Sequence, residues 1–250
     1  MRTTDRTALV VGGTSGIGLG LARRLAAAGS TVVVGGRDPE RDAGRFDGLD
    51  TVRIDVTDPA SVLRARDEVL DRHPDLDLLV TMSGVMLQED LLDPGHAVAA
   101  ETTVAVNLLG TMRVVDAFLP HLTARDAADV VTVSSGIAFL PFPLMPAYGA
   151  SKAGVHAWTE ALRPQLAGTG VTVTELVPPA VATAGQERVN PRALPLDAFL
   201  DEVLAILATE PTPQEVVVEA AQYLRWAERD GTYADLLRVR SEPLSQLPGR

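Results

Sequence analysis

The feature that most constrains this chain is a glycine-rich turn directly after its first apolar run. Residues 8–11 have the pattern of a buried strand, and Gly12-Gly13-Thr14-Ser15-Gly16-Ile17-Gly18 leads from them into a helical segment. Glycines let the backbone approach a pyrophosphate closely, and a helix N-terminus offers free N–H groups and a positive dipole end. A strand before the turn and a helix after it favour a dinucleotide site over an ordinary loop. The expected contacts are Gly12, Thr14, Ser15, Gly16, Ile17 and Gly18.

Beyond this turn, short β-branched runs alternate with longer segments of helical periodicity. This alternation is typical of βαβ units, in which helices cover both faces of a parallel sheet. It predicts an α/β fold, a Rossmann-type doubly wound parallel sheet of about seven strands. The predicted strands cover 8–11, 31–34, 51–54, 78–81, 130–134, 171–176 and, more weakly, 215–219. The predicted helices cover 18–28, 59–72, 97–122, 147–166 and 197–208.

Length and composition favour one domain. A chain of 250 residues, 46% of them hydrophobic, can bury one large core, and α/β folds commonly use this length for a single domain. We therefore predict one dinucleotide-binding and catalytic domain over residues 1–250. Four prolines and weak periodicity in 178–195 predict a substrate lid around 184–200. The tail after 222, with Trp226 and Tyr233, is expected to be helical and docked by its aromatic side chains, and no chemical role is assigned to it.

Charge and composition argue against several kinds of partner and site. The formal net charge of −11, with no basic run to offset it locally, repels nucleic acid. The absence of cysteine excludes disulfides, thiolate nucleophiles and cysteine-based zinc sites. The polar start leaves no room for a signal-peptide core, and no uncharged apolar stretch reaches the roughly 18 residues of a membrane span, so a cytoplasmic protein is expected. No metal site is predicted, because the histidines show no metal-like clustering with carboxylates: His73, His96, His121 and His156.

The end of the second predicted strand bears on the choice of cofactor. An acidic side chain there, about 20 residues past the glycines, would bind the 2′-hydroxyl of an adenosine ribose. This chain has Gly35-Gly36-Arg37 instead. A guanidinium complements the 2′-phosphate of NADP, which a carboxylate would repel. We predict NADP(H) as the cofactor, with NAD(H) less favoured; the alternatives are a solvated turn arginine, or a loop shift that presents Asp38.

A second group of residues suggests acid/base chemistry. Tyr148 and Lys152 are four residues apart at the start of a predicted helix, so their side chains share one face. A tyrosine that titrates near pH 10 is a poor base at neutral pH, but a neighbouring ammonium favours the phenolate. Ser135 lies thirteen residues before Tyr148, just past a predicted strand, where its hydroxyl could hold a substrate oxygen. Ser134 is expected to be structural.

The glycine-rich turn, Asn107, Ser135, Tyr148 and Lys152 occur in an order and spacing that resemble the short-chain dehydrogenase/reductase family over nearly the whole chain. The resemblance implies hydride transfer between a nicotinamide and a carbonyl or secondary alcohol of a small-molecule substrate. It implies that Ser135 orients the substrate carbonyl and that Tyr148 donates the proton in reduction and accepts it in oxidation. Lys152 would lower the Tyr148 pKa and bind the nicotinamide ribose, and Asn107 would help to hold a proton-relaying water.

The resemblance also implies further cofactor contacts. Asp55 and Val56, after the third predicted strand, would lie near the adenine, although Asp55 could equally serve turn chemistry. Pro178, Val181 and Thr183 occupy the segment that brackets the nicotinamide carboxamide in such enzymes.

Two places depart from the family pattern. Thr81-Met82-Ser83-Gly84 stands where Asn-Asn-Ala-Gly is usual, and Pro179 replaces a common glycine and removes one N–H donor. Ser83 and Gly84 are still expected to contact the cofactor, but the adenine-side pocket and the brace to the central helix come into question. These departures keep an alternative open: a cofactor-binding protein without net redox turnover, acting as a scaffold, a sensor, or an epimerase or dehydratase.

The substrate and the assembly are less constrained. The apolar, proline-stiffened segment 137–146 could line a substrate pocket, or could cover the core or a subunit contact. Members of the family commonly pair through the helices that correspond to 97–122 and 147–166, so a homodimer or homotetramer is implied by resemblance.

Overall fold

The chain folds around a parallel sheet of seven strands, as the alternating pattern predicts. The computed structural model describes residues 1–39, 44–46, 48–183, 190 and 192–247. In chain order the strands are β1 (Thr7–Val11), β2 (Thr31–Gly36), β3 (Asp50–Arg53), β4 (Leu78–Thr81), β5 (Ala128–Val133), β6 (Val171–Leu176), β7 (Val181–Ala182), β8 (Leu194–Pro195) and β9 (Glu215–Val216). Their order across the sheet is β3-β2-β1-β4-β5-β6-β9, and β7 and β8 form a separate parallel pair.

This strand order places a binding crevice between β1 and β4. From β1 the chain winds outward through β2 to β3, and it then returns to β4 on the other side of β1. The connections that leave β1 and β4 therefore run in opposite directions. In open α/β sheets, ligands bind in the crevice that such a reversal opens at the carboxyl ends of the strands.

Helices cover both faces of the sheet. They are α1 (Gly16–Ala27), α2 (Pro59–Arg72), α3 (His96–Val104), α4 (Gly110–Thr123), α5 (Pro146–Gln165), α6 (Leu196–Leu207), α7 (Glu219–Arg225) and α8 (Tyr233–Ser241). One face packs against α1 and α6, and the other against α2, α4 and α5. Side chains along β1 alternate between the two layers, with Val10 in the first and Leu9 in the second. The helices bury large side chains in both layers, such as Phe199 in the first and Phe118 in the second.

The long predicted helix over 97–122 differs from expectation at its centre. A π-helical turn, Ala105–Leu109, separates α3 from α4, and the Gly110 N–H bonds to the Ala105 carbonyl oxygen. Such a turn carries one residue more than an α-helical turn and often marks a functional position. Here it contains Asn107, whose side chain is fully buried.

The same helical stretch, His96–Thr123, has the length and composition of a membrane span, with a mean hydropathy of 1.2. It is the one such stretch among the residues that the structure describes. Its inward side chains, including Val114, Phe118 and Leu122, pack in the layer with α2 and the sheet. Part of its apolar character therefore belongs to the core.

The C-terminal part of the chain packs back on the body of the protein. Leu224 and Ala227 form a small buried cluster with Leu140, and α8 adds Leu236 and Leu237 to it. Of the predicted lid, residues 184–189 and 191 lie outside the described residues, and its end forms β8 and the start of α6. The weak seventh strand is shorter than predicted and ends at Val216.

A buried arginine links three strands at their amino ends, on the side of the sheet away from the crevice. Arg6 is 4% exposed. Its guanidinium lies 2.8 Å from a carboxylate oxygen of Asp77 and 2.8 Å from one of Asp129. It also donates to the Asp77 carbonyl oxygen at 2.6 Å. These contacts fix β1 against the starts of β4 and β5.

Arg6→Met should lower the free energy of unfolding by about 3 kcal/mol, because it leaves two half-buried carboxylates without their cation. The matched control is Arg2→Met. Arg2 reaches Asp77 at 3.4 Å with a side chain that is 62% exposed, and its loss should cost less than about 0.5 kcal/mol. Urea unfolding of both variants measures the difference. Equal losses in the two would show that the Arg6 network carries no special stability.

Candidate active site

A cleft of about 1130 Å³ opens at the carboxyl ends of the strands. It is lined by the glycine-rich turn, the ends of β4 and β5, the start of α5, and the segment after β6. Seventeen of the eighteen predicted site residues line it: Gly12, Thr14, Ser15, Gly16, Ile17, Gly18, Arg37, Asp55, Val56, Ser83, Gly84, Ser135, Tyr148, Lys152, Pro178, Val181 and Thr183. Asn107 is the exception, since it lies buried behind the cleft wall.

The glycine-rich turn has the geometry of a phosphate cradle. Gly12 has a φ of +89°, and a Cβ there would stand 2.5 Å from the Ser83 backbone nitrogen. A Cβ on Gly18 would stand 2.3 Å from the Gly12 carbonyl oxygen. Helix α1 then begins with no side-chain hydrogen bond from its N-cap Ser15. The free N–H groups of its first turn therefore face the cleft, and they fit a pyrophosphate.

The two serines after β5 line the cleft on the side of the start of α5. The Ser135 hydroxyl accepts from the Ile137 N–H at 3.3 Å and donates to the Pro178 carbonyl oxygen at 3.4 Å, both long contacts. The Ser134 hydroxyl is buried, lines the cleft and has no hydrogen-bond partner among the described residues. A buried polar atom without a partner is unusual in proteins, so this hydroxyl also suits a polar ligand.

Lys152 is the only lysine in the sequence, and the other basic residues are arginines. Helix α5 carries it into the interior, where it is 5% exposed. Its Nζ donates to the Val133 carbonyl oxygen at 2.8 Å and lies 5.9 Å from the centre of the Tyr148 ring. Burial lowers the pKa of Lys152 to about 8, while the buried carboxylate of Glu175 acts in the opposite direction.

Tyr148 differs from the sequence-based expectation in its protonation. The expected effect of Lys152 was a lowered pKa, but burial raises the pKa of Tyr148, and only a hydrogen bond with Ser135 acts in the other direction. The physical reason is that the Lys152 ammonium points to a backbone carbonyl, while the phenol loses hydration. At neutral pH the phenol keeps its proton, which suits a proton donor.

Asn107 braces the segment whose sequence departs from the family pattern. Its side-chain oxygen accepts from the Val85 N–H at 2.8 Å, and its side-chain nitrogen donates to the Val85 carbonyl oxygen at 2.9 Å. The same nitrogen donates to the Ser151 hydroxyl at 3.1 Å. The brace between this segment and the central helix therefore exists without the usual asparagines. Both N–H groups of the Asn107 side chain are occupied by protein.

Arg53 is a cation that the sequence did not point to, and it lines a smaller pocket that shares Arg37 and Asp55 with the cleft. Arg37 and Arg53 both act on Asp55 and help to lower its pKa, although hydrogen bonds from Thr57 to that carboxylate have the larger effect. Asp55 thus serves turn chemistry and also lines the cleft. Arg53 ends β3, and the signal that could have identified it was its place at the carboxyl end of a parallel strand.

The substrate end of the cleft is closed by the C-terminal segment, which the sequence left without a role. Tyr223, Leu224, Arg240, Pro243 and Gln246 all line it. Some residues of the segment 137–146 line the cleft and others cover the core, as the two alternatives for this segment predicted. Ile137, Phe142, Leu144 and Met145 line the cleft, whereas Leu140 is fully buried in the cluster with the tail.

The expectation that no histidine clusters with carboxylates is wrong for His156. Folding brings its Nδ1 within 2.8 Å of the buried Glu175, and Glu160 and Glu215 lie close by. The sequence could not show Glu175 and Glu215 beside His156, because these two carboxylates come from β6 and β9. Arg225 binds Glu215 through both of its carboxylate oxygens, and Arg163 pairs with Glu160. Two guanidinium groups in the cluster favour an ion-pair network over a bound cation.

Comparisons with known proteins agree with this geometry. The family model described as short chain dehydrogenase matches residues 6–193. An uncharacterized oxidoreductase, DltE of Bacillus subtilis (strain 168), is 33% identical over 187 residues, which cover 73% of this chain and 74% of the relative.

Two solved structures have the same architecture. A short chain dehydrogenase from Burkholderia cenocepacia J2315 in complex with NADP has a TM-score of 0.83 at 28% identity, over 95% of this chain and 99% of that one. An alcohol dehydrogenase from Thermococcus sibiricus complexed with 5-hydroxy-NADP has a TM-score of 0.73 at 25% identity, over 84% and 92% of the two chains.

The single lysine permits a direct measurement of its pKa. Protein grown with ¹³C-labelled lysine should give one lysine side-chain resonance in solution NMR, and that resonance should titrate near pH 8 because the site is buried. Glu175→Gln should lower the pKa further, since it removes the carboxylate that favours the ammonium. Asp38→Asn, on the exposed β2 turn, is the control and should not move it. A titration at or above pH 10 would contradict the buried environment described here.

Proposed function

The chain belongs to the short chain dehydrogenase family, and we propose that it is an NADP(H)-dependent oxidoreductase that reduces a carbonyl group of a small molecule to an alcohol. The observation that carries the proposal is the convergence of Ser135, Tyr148 and Lys152 at the end of the cleft opposite Arg37 and Asp55. A protein that only binds a cofactor has no need of a hydroxyl and a phenol placed together at that end.

The cleft residues fit a dinucleotide along its length. Arg37 and Asp55 would hold the adenosine end, the turn from Gly12 to Gly18 the pyrophosphate, and Lys152 the nicotinamide ribose. When bound, the nicotinamide supplies a hydride to the substrate in reduction and accepts one in oxidation. Val181 and Thr183 would hold the carboxamide, and the methyl of Thr183 already lies 3.4 Å from the Cβ position of Gly16.

The protein residues would handle the proton and the substrate oxygen. Ser135 would donate a hydrogen bond to the carbonyl oxygen, which requires only that it give up its long contact with Pro178. Tyr148 would donate its phenolic proton to the same oxygen as negative charge develops there. The ammonium of Lys152 would stabilise the phenolate that remains, because a cation favours the charged form of a neighbouring phenol.

The protonation states favour reduction at neutral pH. The pKa of Tyr148 is raised, so the proton to be donated is in place. Lys152, with a pKa of about 8, is largely protonated at pH 7. Oxidation instead needs the phenolate before the reaction begins, and its rate should therefore rise with pH.

Two arginines support the preference for NADP(H). Arg37 follows β2 and Arg53 ends β3, so the two side chains start from neighbouring strands at the same edge of the sheet. Both are exposed, and neither has an ion-pair partner within 4.0 Å among the described residues. Two such guanidinium groups can bind a 2′-phosphate, whereas NAD offers them only a hydroxyl.

Tyr148→Phe should abolish reduction of carbonyl compounds, with a loss on the order of 10²–10⁴-fold in kcat, because the proton donor is removed. NADPH absorbance with a panel of aldehydes and ketones measures the rate, and fluorescence titration of NADPH checks that the cofactor still binds. Tyr233→Phe, on α8 away from the cleft, is the control and should keep full activity. Oxidation of the matching alcohol should increase from pH 7 to pH 9.

Turnover that survives Tyr148→Phe would rule out the proposed proton donor. If the wild-type protein binds NADPH but reduces nothing in the panel, the alternative without net redox turnover gains support.

Arg37→Ala and Arg53→Ala should each weaken NADPH binding, and the double variant should do so by at least about 100-fold, because two charge-assisted contacts are lost. The Kd of NADH should change little in the same variants. Isothermal titration calorimetry measures both cofactors. Arg66→Ala on α2, which removes an arginine paired with Asp67, is the charge-matched control. Equal losses for NADPH and NADH, or wild-type protein that binds NADH as tightly, would refute the assignment.

A further inference from the structure

The substrate end of the cleft contains one charged side chain that has no role in the proposed reaction. Among the described residues that line the cleft, four are charged at neutral pH: Arg37, Asp55, Lys152 and Arg240. The first two lie at the adenine end, and Lys152 lies at the reacting centre. Arg240 comes from α8 and faces the part of the cleft beyond Tyr148 that is left for the substrate.

Arg240 is held in place by uncharged contacts. Its Nε donates to the Pro141 carbonyl oxygen at 3.0 Å, and its guanidinium carbon lies 5.1 Å from the centre of the Phe142 ring. These contacts use one of its five N–H groups and one face of its plane. The outer nitrogen atoms have no hydrogen-bond partner within the described part of the chain.

Among the described residues, no carboxylate forms an ion pair with Arg240. Burial lowers the pKa of Arg240, and the neighbour that acts in the other direction is the phenol of Tyr223, not a carboxylate. Two other half-buried arginines do have carboxylate partners: Arg24 pairs with Asp197, and Arg225 with Glu215. Loss of hydration without a counter-charge costs free energy, so an anion from outside would be bound favourably here.

We propose that Arg240 binds a carboxylate of the substrate, so that the protein acts on oxo acids and the corresponding hydroxy acids. This inference rests on the proposed function and gives it a substrate class. A planar guanidinium with two free nitrogen atoms matches a carboxylate in a two-point contact. Phe142, Leu224 and Pro243 give this part of the cleft an apolar lining, and such a surrounding strengthens a contact between charges.

Local contact is required, because the protein as a whole repels anions. The net charge of −11 gives a carboxylate no long-range attraction to the protein as a whole. Recognition must therefore come from a cation at short range inside the cleft. Of the cleft cations, Arg240 lies at the substrate end, and no carboxylate of the described residues pairs with it.

The reaction balances with the cofactor already proposed. The hydride from NADPH forms the new C–H bond at the carbonyl carbon, and the C=O π electrons move to oxygen. The phenolic proton of Tyr148 then completes the hydroxyl group, and the phenolate is reprotonated from solvent. One oxo acid and one NADPH give one hydroxy acid and one NADP⁺, and the carboxylate at Arg240 is unchanged.

The kinetic test compares acids with their neutral analogues. Three oxo acids of increasing length, 3-oxobutanoate, 4-oxopentanoate and 5-oxohexanoate, are each paired with the methyl ester of the same skeleton. For at least one length, kcat/KM for the acid should exceed that for the ester by tenfold or more. Arg240→Gln, which can still donate to the Pro141 carbonyl oxygen, should lower kcat/KM for that acid by tenfold or more, chiefly through KM. It should leave the ester within threefold.

Two further variants separate the charge of Arg240 from its structural contacts. Arg240→Lys keeps the charge but loses the planar fork, and it should give an intermediate loss with the acid. Arg238→Met removes an exposed arginine two residues away on the same helix and should change neither substrate. The proposal would be overturned if the wild-type protein had the same kcat/KM for the ester as for the acid. It would also be overturned if Arg240→Gln lowered kcat/KM equally for both.

A binding measurement tests Arg240 independently of turnover. Isothermal titration of the NADP-loaded protein with pentanoate should show binding that Arg240→Gln weakens by tenfold or more, while pentanamide binds weakly to both. If ketones are not reduced but pentanoate still binds through Arg240, the proposed function fails and the anion site stands. If esters are reduced and pentanoate binds equally to both proteins, the anion site fails and the proposed function stands.

Discussion

The structure depends on the close contact between the glycine-rich turn and the segment after β4. At Gly12 the backbone passes so near the Ser83 nitrogen that a Cβ would stand 2.5 Å from it. Gly18 packs equally closely on the Gly12 carbonyl. Because these contacts join backbone to backbone, no side-chain rearrangement can make room for a larger residue. They set the separation of β1 and β4 at the point where the sheet reverses direction, and that separation sets the width of the cleft.

The reacting end is positioned from a second direction, by the buried face of α5. Tyr148, Lys152 and His156 follow one another at four-residue intervals along this helix, from the cleft to the ion-pair cluster around Glu175. Burying Lys152 lowers its pKa to about 8, and the carboxylate of Glu175 limits that fall. Lys152 is therefore mostly charged at neutral pH, but its pKa lies only slightly above that pH. A buried carboxylate outside the cleft thus contributes to the electrostatics of the proposed chemistry.

The parts of the site that could be predicted from the sequence are those formed by residues that lie close together along the chain. The turn 12–18, the pair Tyr148 and Lys152, and the alternation that gives a parallel sheet each follow from local spacing. The π-helical turn at Asn107 could not be predicted in this way, because the Asn107 side chain bonds to Val85, which lies on another segment of the chain. The same holds for Glu175 beside His156 and for the raised pKa of Tyr148, which is set by burial in the assembled cleft.

The two ends of the cleft are built from different parts of the chain. The cofactor end comes from strands and turns within the region that matches the family model, which ends at residue 193. The roof of the substrate end, including Tyr223, Arg240 and Gln246, comes from the segment beyond it. That segment joins the sheet through β9 and packs on it through α6. Its last helix, α8, is attached through the small apolar cluster around Leu140. Changes in α8 can therefore alter the substrate end without changing the strands and turns that form the cradle.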